Sequence, residues 1–239
     1  MNATVVLVHG AFAESSSWDA VIDPLLAAGH EVIAAANPLR GVATDAAALT
    51  DLVRALHGPV LLVGHSYGGT VITNVDRSAA DIVGLVYVCG FAPDAGESCA
   101  TLSAHVPGGT LGETLWTVEL AGGVPDLYIA QDRYHQQFAA DVPKEVAARM
   151  AVTQRPVTVA GLNDPSGPDP LWKDIPSWFV YAELDRNIPA GAHAFMAERA
   201  GSRGTVEVTG AAHALPVSRP TEVTAMILQA ARATELAPA

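Results

Sequence analysis

Positive charge and cysteine are both scarce in this sequence. Its 13 lysines and arginines stand against 25 aspartates and glutamates, which gives a formal net charge of −12. Because phosphate groups would be repelled, this charge disfavours nucleic acid and an anionic membrane surface as partners. Two cysteines, Cys89 and Cys99, are too few for a framework of disulfides. We expect Cys89, which lies in an apolar run, to be an inert core thiol.

Long apolar runs are also lacking. The first run, Val5 to Val8, ends at His9-Gly10, and no basic segment precedes it. We therefore expect neither a signal peptide nor a membrane span, and a soluble, cytoplasmic protein. The sequence has no H-E-x-x-H, no P-loop and no G-x-G-x-x-G after this first run, so we expect no metal and no cofactor.

Apolar residues make up half of the 239 positions, and only 16% are charged. This composition is typical of a compact globular protein, and the length favours one α/β domain over two small ones. Short strand-like runs alternate with helix-like segments, which predicts a mainly parallel sheet of about six strands flanked by helices. The predicted strands are residues 4–8, 32–36, 60–63, 82–88, 177–182 and 205–208. The predicted helices outside the middle of the chain are residues 18–26, 44–56, a helix through residues 70–72, residues 190–200 and one that begins near residue 220.

The alternation stops between residues 94 and 174, a segment that we call the insertion. Clusters of glycine, proline and serine there bracket weaker helix signals at residues 134–139 and 143–150. About eighty residues without structure would be unusual in a compact domain. We therefore expect a core made of residues 1–93 and 175–239, with the insertion as a helical lid.

The motif Gly64-His65-Ser66-Tyr67-Gly68 lies where a strand-like run changes into a helix-like run. A sharp strand-to-helix turn exposes a serine hydroxyl beside a helix N-terminus, and glycines on either side allow the close backbone approach. The motif alone is a weak signal, and its position between strand and helix strengthens it. We expect Ser66 to be a nucleophile.

A serine nucleophile needs a base and a group that orients the base. His213 lies in a loop after the last predicted strand, at the sheet edge where catalytic groups gather, and we expect it to be the base rather than a surface histidine. Asp185 follows the preceding strand, and its carboxylate would fix the imidazole tautomer. Glu183 is a competitor for this role, but it directly follows the strand. The order Ser66, Asp185, His213 fits a nucleophile elbow.

The oxyanion hole requires backbone N–H groups, which we expect from Ala11 and Tyr67. Gly10 would let the first loop turn towards Ser66, while His9 and His65 are expected to be structural. We expect an apolar pocket that uses aromatic side chains, although each of these is also compatible with plain core packing. The five pocket candidates are Phe12, Phe91, Trp116, Tyr134 and Phe138.

These residues resemble the α/β-hydrolase superfamily over nearly the whole chain. Within it, the sequence is similar to the small-lid group of plant methylesterases and hydroxynitrile lyases, and more similar still to bacterial esterase-like relatives. The segments that carry this resemblance are Leu7-Val8-His9-Gly10-Ala11, Gly29-His30 and Gly64-His65-Ser66-Tyr67-Gly68-Gly69.

The resemblance implies a carboxylic-ester hydrolase with Ser66, Asp185 and His213 as its triad and with no metal or cofactor. We expect a small, hydrophobic ester as substrate and an acyl-enzyme as intermediate; the sequence leaves open whether the chain forms a homodimer. A lyase or a carbon–carbon bond hydrolase with the same triad, or a hydrolase-fold receptor, is an alternative. In the lyases a threonine replaces Gly10 and a lid lysine assists, whereas this insertion offers only Lys144 and Lys173.

Overall fold

The computed structural model describes residues 2–121 and 123–235, in which a six-stranded parallel sheet forms the centre. Strands and helices are numbered along the chain. The strands are β1 (Thr4–Val8), β2 (Val32–Ala35), β3 (Pro59–His65), β4 (Asp81–Val88), β5 (Leu115–Val118), β6 (Asp126–Ile129), β7 (Val157–Thr158), β8 (Ser177–Ala182) and β9 (Gly204–Val208). The central sheet has the order β2-β1-β3-β4-β8-β9, and all its neighbouring strands are parallel. The predicted sheet is confirmed.

The central strands are apolar because helices cover both faces of the sheet. In β1 the residues Val5, Val6 and Leu7 are fully buried, and in β3 all four residues from Val60 to Val63 are fully buried. Continuous apolar runs of this kind are typical of parallel strands with two covered faces. Burial of each such side chain contributes about 1.5–3 kcal/mol to folding.

Ten α-helices connect and cover these strands within the described ranges. They are α1 (Asp19–Ala27), α2 (Val42–Arg54), α3 (Tyr67–Thr73), α4 (Cys99–Ser103), α5 (Gln131–Phe138), α6 (Lys144–Thr153), α7 (Val159–Asn163), α8 (Ala190–Arg199), α9 (Leu215–Ser218) and α10 (Pro220–Glu235). Helix α10 packs on β4, β8 and α1, whereas α3 packs on β3 and α2. No helix in these ranges is both long and apolar enough to cross a membrane.

The insertion differs in one respect from the helical lid that the sequence predicts. It contains α4 to α7, but it also contains a three-stranded antiparallel sheet of order β5-β6-β7. These strands have only four, four and two residues, which is too short for a period-two pattern to stand out. The insertion is therefore a mixed layer of helices and a small sheet.

The parallel order places the carboxyl ends of the central strands at one edge of the sheet. The chain leaves β1 at His9, β3 at Ser66, β8 at Glu183 and β9 at Thr209. Loops at this edge of an open parallel sheet are where ligands bind. The loops that carry the predicted site residues therefore lie together.

Replacement of Gly68 by alanine is expected to destabilise the fold. A Cβ atom at Gly68 would overlap the carbonyl oxygen of Val8 and lie 3.0 Å from that of His9, and backbone atoms cannot move aside cheaply. Overpacking of this kind costs about 1–3 kcal/mol. Thermal unfolding followed by circular dichroism should show a clearly lower Tm for Gly68→Ala. Gly112→Ala is the control, because a Cβ there meets no atom within 4 Å; equal Tm values for the two variants would contradict the packing argument.

Candidate active site

Ser66 occupies a strained corner between β3 and α3. Its backbone has φ 53° and ψ −124°, an unfavourable conformation for a residue with a side chain, which costs about 1–3 kcal/mol. Three hydrogen bonds hold this conformation: the Ser66 N–H donates to the Val88 carbonyl at 3.2 Å, and the Ser66 carbonyl accepts from Gly69 and Phe91. The corner therefore has the geometry of a nucleophile elbow.

Glycines next to Ser66 are required by close backbone contacts. A Cβ at Gly64 would lie 2.6 Å from backbone atoms of Gly68 and Gly69. A Cβ at Gly10 would lie 2.6 Å from the Ser66 Cβ and 3.2 Å from its Oγ. The loop after β1 thus packs directly on the serine side chain.

His213 and Asp185 form a buried hydrogen-bonded pair. The Nδ1 atom of His213 donates to Oδ2 of Asp185 at 2.6 Å, and neither side chain is exposed. The other carboxylate oxygen, Oδ1, accepts the N–H groups of Asn187 at 2.8 Å and Ile188 at 2.9 Å. These bonds fix the carboxylate and place the proton of a neutral His213 on Nδ1. The buried Nε2 atom of His213 has no partner among residues 2–121 and 123–235, so its lone pair is available to accept a proton.

The charge of Asp185 is maintained in spite of its burial. Burial opposes ionisation, but the His213 and His193 rings beside the carboxyl outweigh it and hold its pKa below the ordinary value. Glu183 takes no part in this pair, because its exposed carboxylate accepts the N–H of Gly210 at 2.8 Å. The geometry therefore places Asp185 rather than Glu183 on His213.

Two further histidines, His65 and His9, hydrogen-bond to loop backbone next to the site. His65 donates from Nε2 to the His213 carbonyl at 3.0 Å, and burial lowers the pKa of His65 to about 3. His9 donates from Nδ1 to the Gly10 carbonyl at 2.9 Å and accepts the Asn37 N–H at Nε2. Burial lowers the pKa of His9 to about 4. Both rings are therefore neutral and hold loop backbone in place.

The two residues expected to supply N–H groups to an oxyanion hole are both close to Ser66 in sequence or in the cavity lining. Tyr67 is the first residue of α3, where N–H groups have no acceptor inside the helix. Ala11 lies in the loop after β1 and lines the same cavity as Ser66. The next residue, Phe12, has φ 61° and is held on both sides by the insertion: its N–H donates to the Arg155 carbonyl at 3.0 Å, and its carbonyl accepts the Tyr134 hydroxyl at 2.8 Å.

A cavity of about 260 Å³ opens at Ser66. Its lining contains no lysine, arginine, histidine, aspartate or glutamate, so the cavity is uncharged. The lining residues are Ala11, Phe12, Ser66, Phe91, Cys99, Ala100, Ser103, Leu111, Gly112, Leu115, Leu127, Leu162, Asn163, Asn187 and Ile188. The four leucines of the insertion could not be recognised in the sequence, because isolated aliphatic residues in segments without a clear periodic pattern give no signal of a pocket.

Three of the five aromatic pocket candidates lie elsewhere. Phe12 and Phe91 line the cavity, but Trp116, Tyr134 and Phe138 do not. Trp116 is 49% exposed and stacks on Tyr128, because alternation along β5 turns Leu115 towards the cavity and Trp116 away from it. Tyr134 and Phe138 are buried one turn apart on α5, where their rings stack at 5.0 Å. The Phe138 ring also packs edge-on against His213, with ring centres 4.9 Å apart.

One group of side chains has the composition of a metal site. The ligating atoms of Cys89, Asp185 and His193 all lie within 4.8 Å of one another. Burial raises the pKa of the Cys89 thiol well above its ordinary value, which disfavours the thiolate that a metal would need. Both oxygens of Asp185 also already accept hydrogen bonds. The group is therefore better described as part of the surroundings of the His213–Asp185 pair.

Known proteins with similar sequences and structures include several esterases. The chain is 36% identical over 113 residues to a carbendazim hydrolyzing esterase from Nocardioides sp. (strain SG-4G), a match that covers 42% of this chain and 47% of that protein. The chain thus spans about half the length of this relative.

Two solved structures share the fold over nearly the whole chain. The crystal structure of polyneuridine aldehyde esterase covers 96% of this chain and 99% of its own, with a TM-score of 0.81 and 17% identity. The crystal structure of a methylesterase, MES16 from Arabidopsis, matches 96% of this chain and 99% of its own chain, with a TM-score of 0.77 and 20% identity. The predicted resemblance to a superfamily that includes plant methylesterases is confirmed. The model of the alpha/beta hydrolase family matches residues 5–226, and the chain therefore belongs to that family.

Proposed function

We propose that the chain is a serine hydrolase that cleaves small, uncharged carboxylic esters through an acyl-enzyme. The observation that carries this proposal is the position of Ser66, on a strained corner that opens into an uncharged cavity, at the sheet edge that also holds the buried His213–Asp185 pair. Strain at a backbone corner is retained where a function depends on it.

The proposed reaction begins with attack of the Ser66 Oγ on the ester carbonyl carbon. His213 accepts the serine proton at Nε2, and the ionised Asp185 stabilises the imidazolium that forms. The N–H groups of Ala11 and Tyr67 stabilise the negative oxygen of the tetrahedral intermediate. His213 then gives the proton to the leaving alcohol, and a water molecule, deprotonated by His213 in turn, releases the acid from Ser66.

The cavity favours a small and neutral substrate. Its volume of about 260 Å³ lies just below the range of ordinary drug-sized pockets. Leu111, Leu115, Leu127 and Leu162 supply apolar surface, while Ser103, Asn163 and Asn187 offer hydrogen bonds that can orient a polar group. The similarity to a carbendazim hydrolyzing esterase and to a methylesterase also supports an ester as substrate.

Cyanohydrin cleavage is less well supported by this site. A side chain at position 10 would collide with Ser66, so the pocket is built around glycine. Neither of the two insertion lysines lines the cavity, and Lys173 is paired with Asp94 on the surface.

Loss of the Ser66 hydroxyl is expected to abolish ester hydrolysis. Ser66→Ala should reduce the turnover of p-nitrophenyl butyrate by at least about 10³-fold, because the nucleophile is removed while the binding surface remains. Ser16→Ala, at an exposed serine, is the matched control and should retain wild-type turnover. Circular dichroism should show that both variants fold. Undiminished turnover by folded Ser66→Ala would refute the proposed mechanism.

A charged acyl chain is expected to be a poor substrate. The p-nitrophenyl half-ester of succinate is close in size to the butyrate ester but carries a carboxylate, which would be buried in a cavity without a positive group. We expect its kcat/KM to be at least about 10-fold lower, since burial of an unpaired charge costs well over 1.4 kcal/mol. The two esters are compared by steady-state release of p-nitrophenol, with the spontaneous rate of each ester subtracted. Equal kcat/KM values would argue against an uncharged acyl site.

Removal of the Tyr134 hydroxyl is expected to slow the chemical step. This hydroxyl holds the Phe12 carbonyl, next to the proposed oxyanion donor Ala11. One buried hydrogen bond contributes about 0.5–1.5 kcal/mol, so Tyr134→Phe should lower kcat by about 2- to 10-fold. KM should change little, because the oxyanion forms after binding. Tyr128→Phe, at a half-buried tyrosine outside the cavity lining, is the control; a wild-type kcat for Tyr134→Phe would exclude this role.

A further inference from the structure

The Asp185 carboxylate accepts a hydrogen bond from a second imidazole, that of His193, besides the one from His213. The Nε2 atom of His193, on helix α8, lies 3.3 Å from Oδ2, the same oxygen that His213 approaches at 2.6 Å. His193 is fully buried, and its ring stacks on Tyr181 at a distance of 5.1 Å between ring centres. The proposed Ser66–His213–Asp185 reaction does not use this histidine.

The hydrogen bonds determine where the proton of His193 lies. An ionised carboxylate can only accept hydrogen bonds, so Nε2 of His193 carries the hydrogen and donates it to Asp185. The other nitrogen, Nδ1, is buried without a partner in the described part of the chain. A positively charged ring would bury an unsatisfied N–H at Nδ1, which is costly. Hydrogen on Nε2 alone satisfies the bond to Asp185 without placing an N–H at the unpartnered Nδ1.

With this bond, all four acceptor positions of Asp185 are occupied. Oδ1 accepts the N–H groups of Asn187 and Ile188, and Oδ2 accepts His213 and His193. The two backbone N–H groups hold only Oδ1. The imidazole rings hold Oδ2, His193 from helix α8 and His213 from the loop after β9. The carboxylate is therefore fixed in its plane as well as in its position.

We propose that His193 is a positioning residue that holds Asp185 against His213 and sets the pH below which His213 stops acting as a base. This inference rests on the proposed function, because it assumes that His213 is the general base. A second donor on Oδ2 withdraws part of the negative charge that would otherwise stabilise a protonated His213. Loss of the His193 donor would leave the full negative charge of Oδ2 to His213.

The other titratable groups around His213 and Asp185 do not supply a second imidazole donor to Oδ2. Burial lowers the pKa of His65 to about 3, so this ring is neutral beside His213. Burial raises the pKa of the Cys89 thiol, so this group is uncharged, and a thiol is a weaker donor to Asp185 than an imidazole N–H. Asp141, from the insertion, lies 3.2 Å from the guanidinium of Arg219, which offsets its charge. Among the described neighbours, His193 is the side chain that shares the oxygen used by His213.

The test compares two substitutions of similar size at position 193. His193→Gln keeps an N–H donor, whereas His193→Met removes it. In the pH profile of kcat/KM for p-nitrophenyl butyrate, we expect the acidic limb of His193→Met to move to higher pH by about 0.5–1 unit, less than the 1–3 units that a full neighbouring charge produces. In His193→Gln, which keeps a donor, the acidic limb should lie close to its wild-type position. His30→Leu, which removes another buried histidine far from Asp185 in the fold, should leave the limb where it is.

A purely structural role for His193 would give a different result. In that case His193→Met would lower the Tm without moving the limb, and such an outcome overturns the proposal. The wild-type protein offers a second measurement that needs no variant. Its NMR spectrum should contain two assigned imidazole N–H resonances shifted downfield by a hydrogen bond to the Asp185 carboxylate, one from His213 and one from His193. A single resonance of this kind would likewise overturn the proposal.

Failure of the proposed function can be recognised separately. If the wild-type protein hydrolyses no ester, the serine hydrolase assignment is wrong. The titration of His213 followed by ¹⁵N NMR still measures the influence of His193, because it needs no substrate. An upward shift of this titration in His193→Met then supports the positioning role, and an unchanged titration contradicts it.

Discussion

The site depends on the close approach of three backbone segments around Ser66. The ends of β1, β3 and β4 meet there, and glycines at positions 10, 64, 68 and 69 remove the Cβ atoms that would keep these segments apart. Hydrogen bonds from Ser66 to Val88 and from Phe91 to Ser66 then fix the corner. The parallel sheet supplies the rigid base for this contact, since the same strands are buried on both faces. The position of Ser66 is thus determined by main-chain packing rather than by a mobile loop.

The insertion does more than cover the cavity. Helix α5 contacts two parts of the proposed active site. Tyr134 donates a hydrogen bond to the Phe12 carbonyl in the loop after β1, and Phe138 packs on the His213 ring. The Phe138 carbonyl also accepts the N–H of Ala214, directly after His213. A change in the position of α5 would therefore move both the loop after β1 and His213. This arrangement makes the insertion a structural part of the site.

Much of the architecture could be predicted because short local signals determine it. The six strands stand out as apolar runs between glycines and prolines, and Ser66, Asp185 and His213 each follow such a run. Parallel strands bring the residues after them to one edge, so their proximity follows from the topology alone. The shared oxygen of Asp185 could not be predicted in this way. His193 lies inside a helix, and only the three-dimensional structure shows that its ring reaches the carboxylate.

The pocket could be predicted far less well. An aromatic residue in a sequence indicates burial, but it does not indicate which cavity or core it faces; Tyr134 and Phe138 are buried behind the site, and Trp116 lies on its outer side. The small sheet of the insertion escaped detection because its strands are short. That sheet has a consequence for how such a protein can change its substrate. In β5 and β6 the side chains of Leu115 and Leu127 line the cavity, while the pairing of the two strands relies on main-chain bonds. Side chains at these two positions can vary in size while the His213–Asp185 pair, which lies in loops of the central sheet, stays the same. The chemistry and the choice of substrate are thereby open to separate evolutionary change.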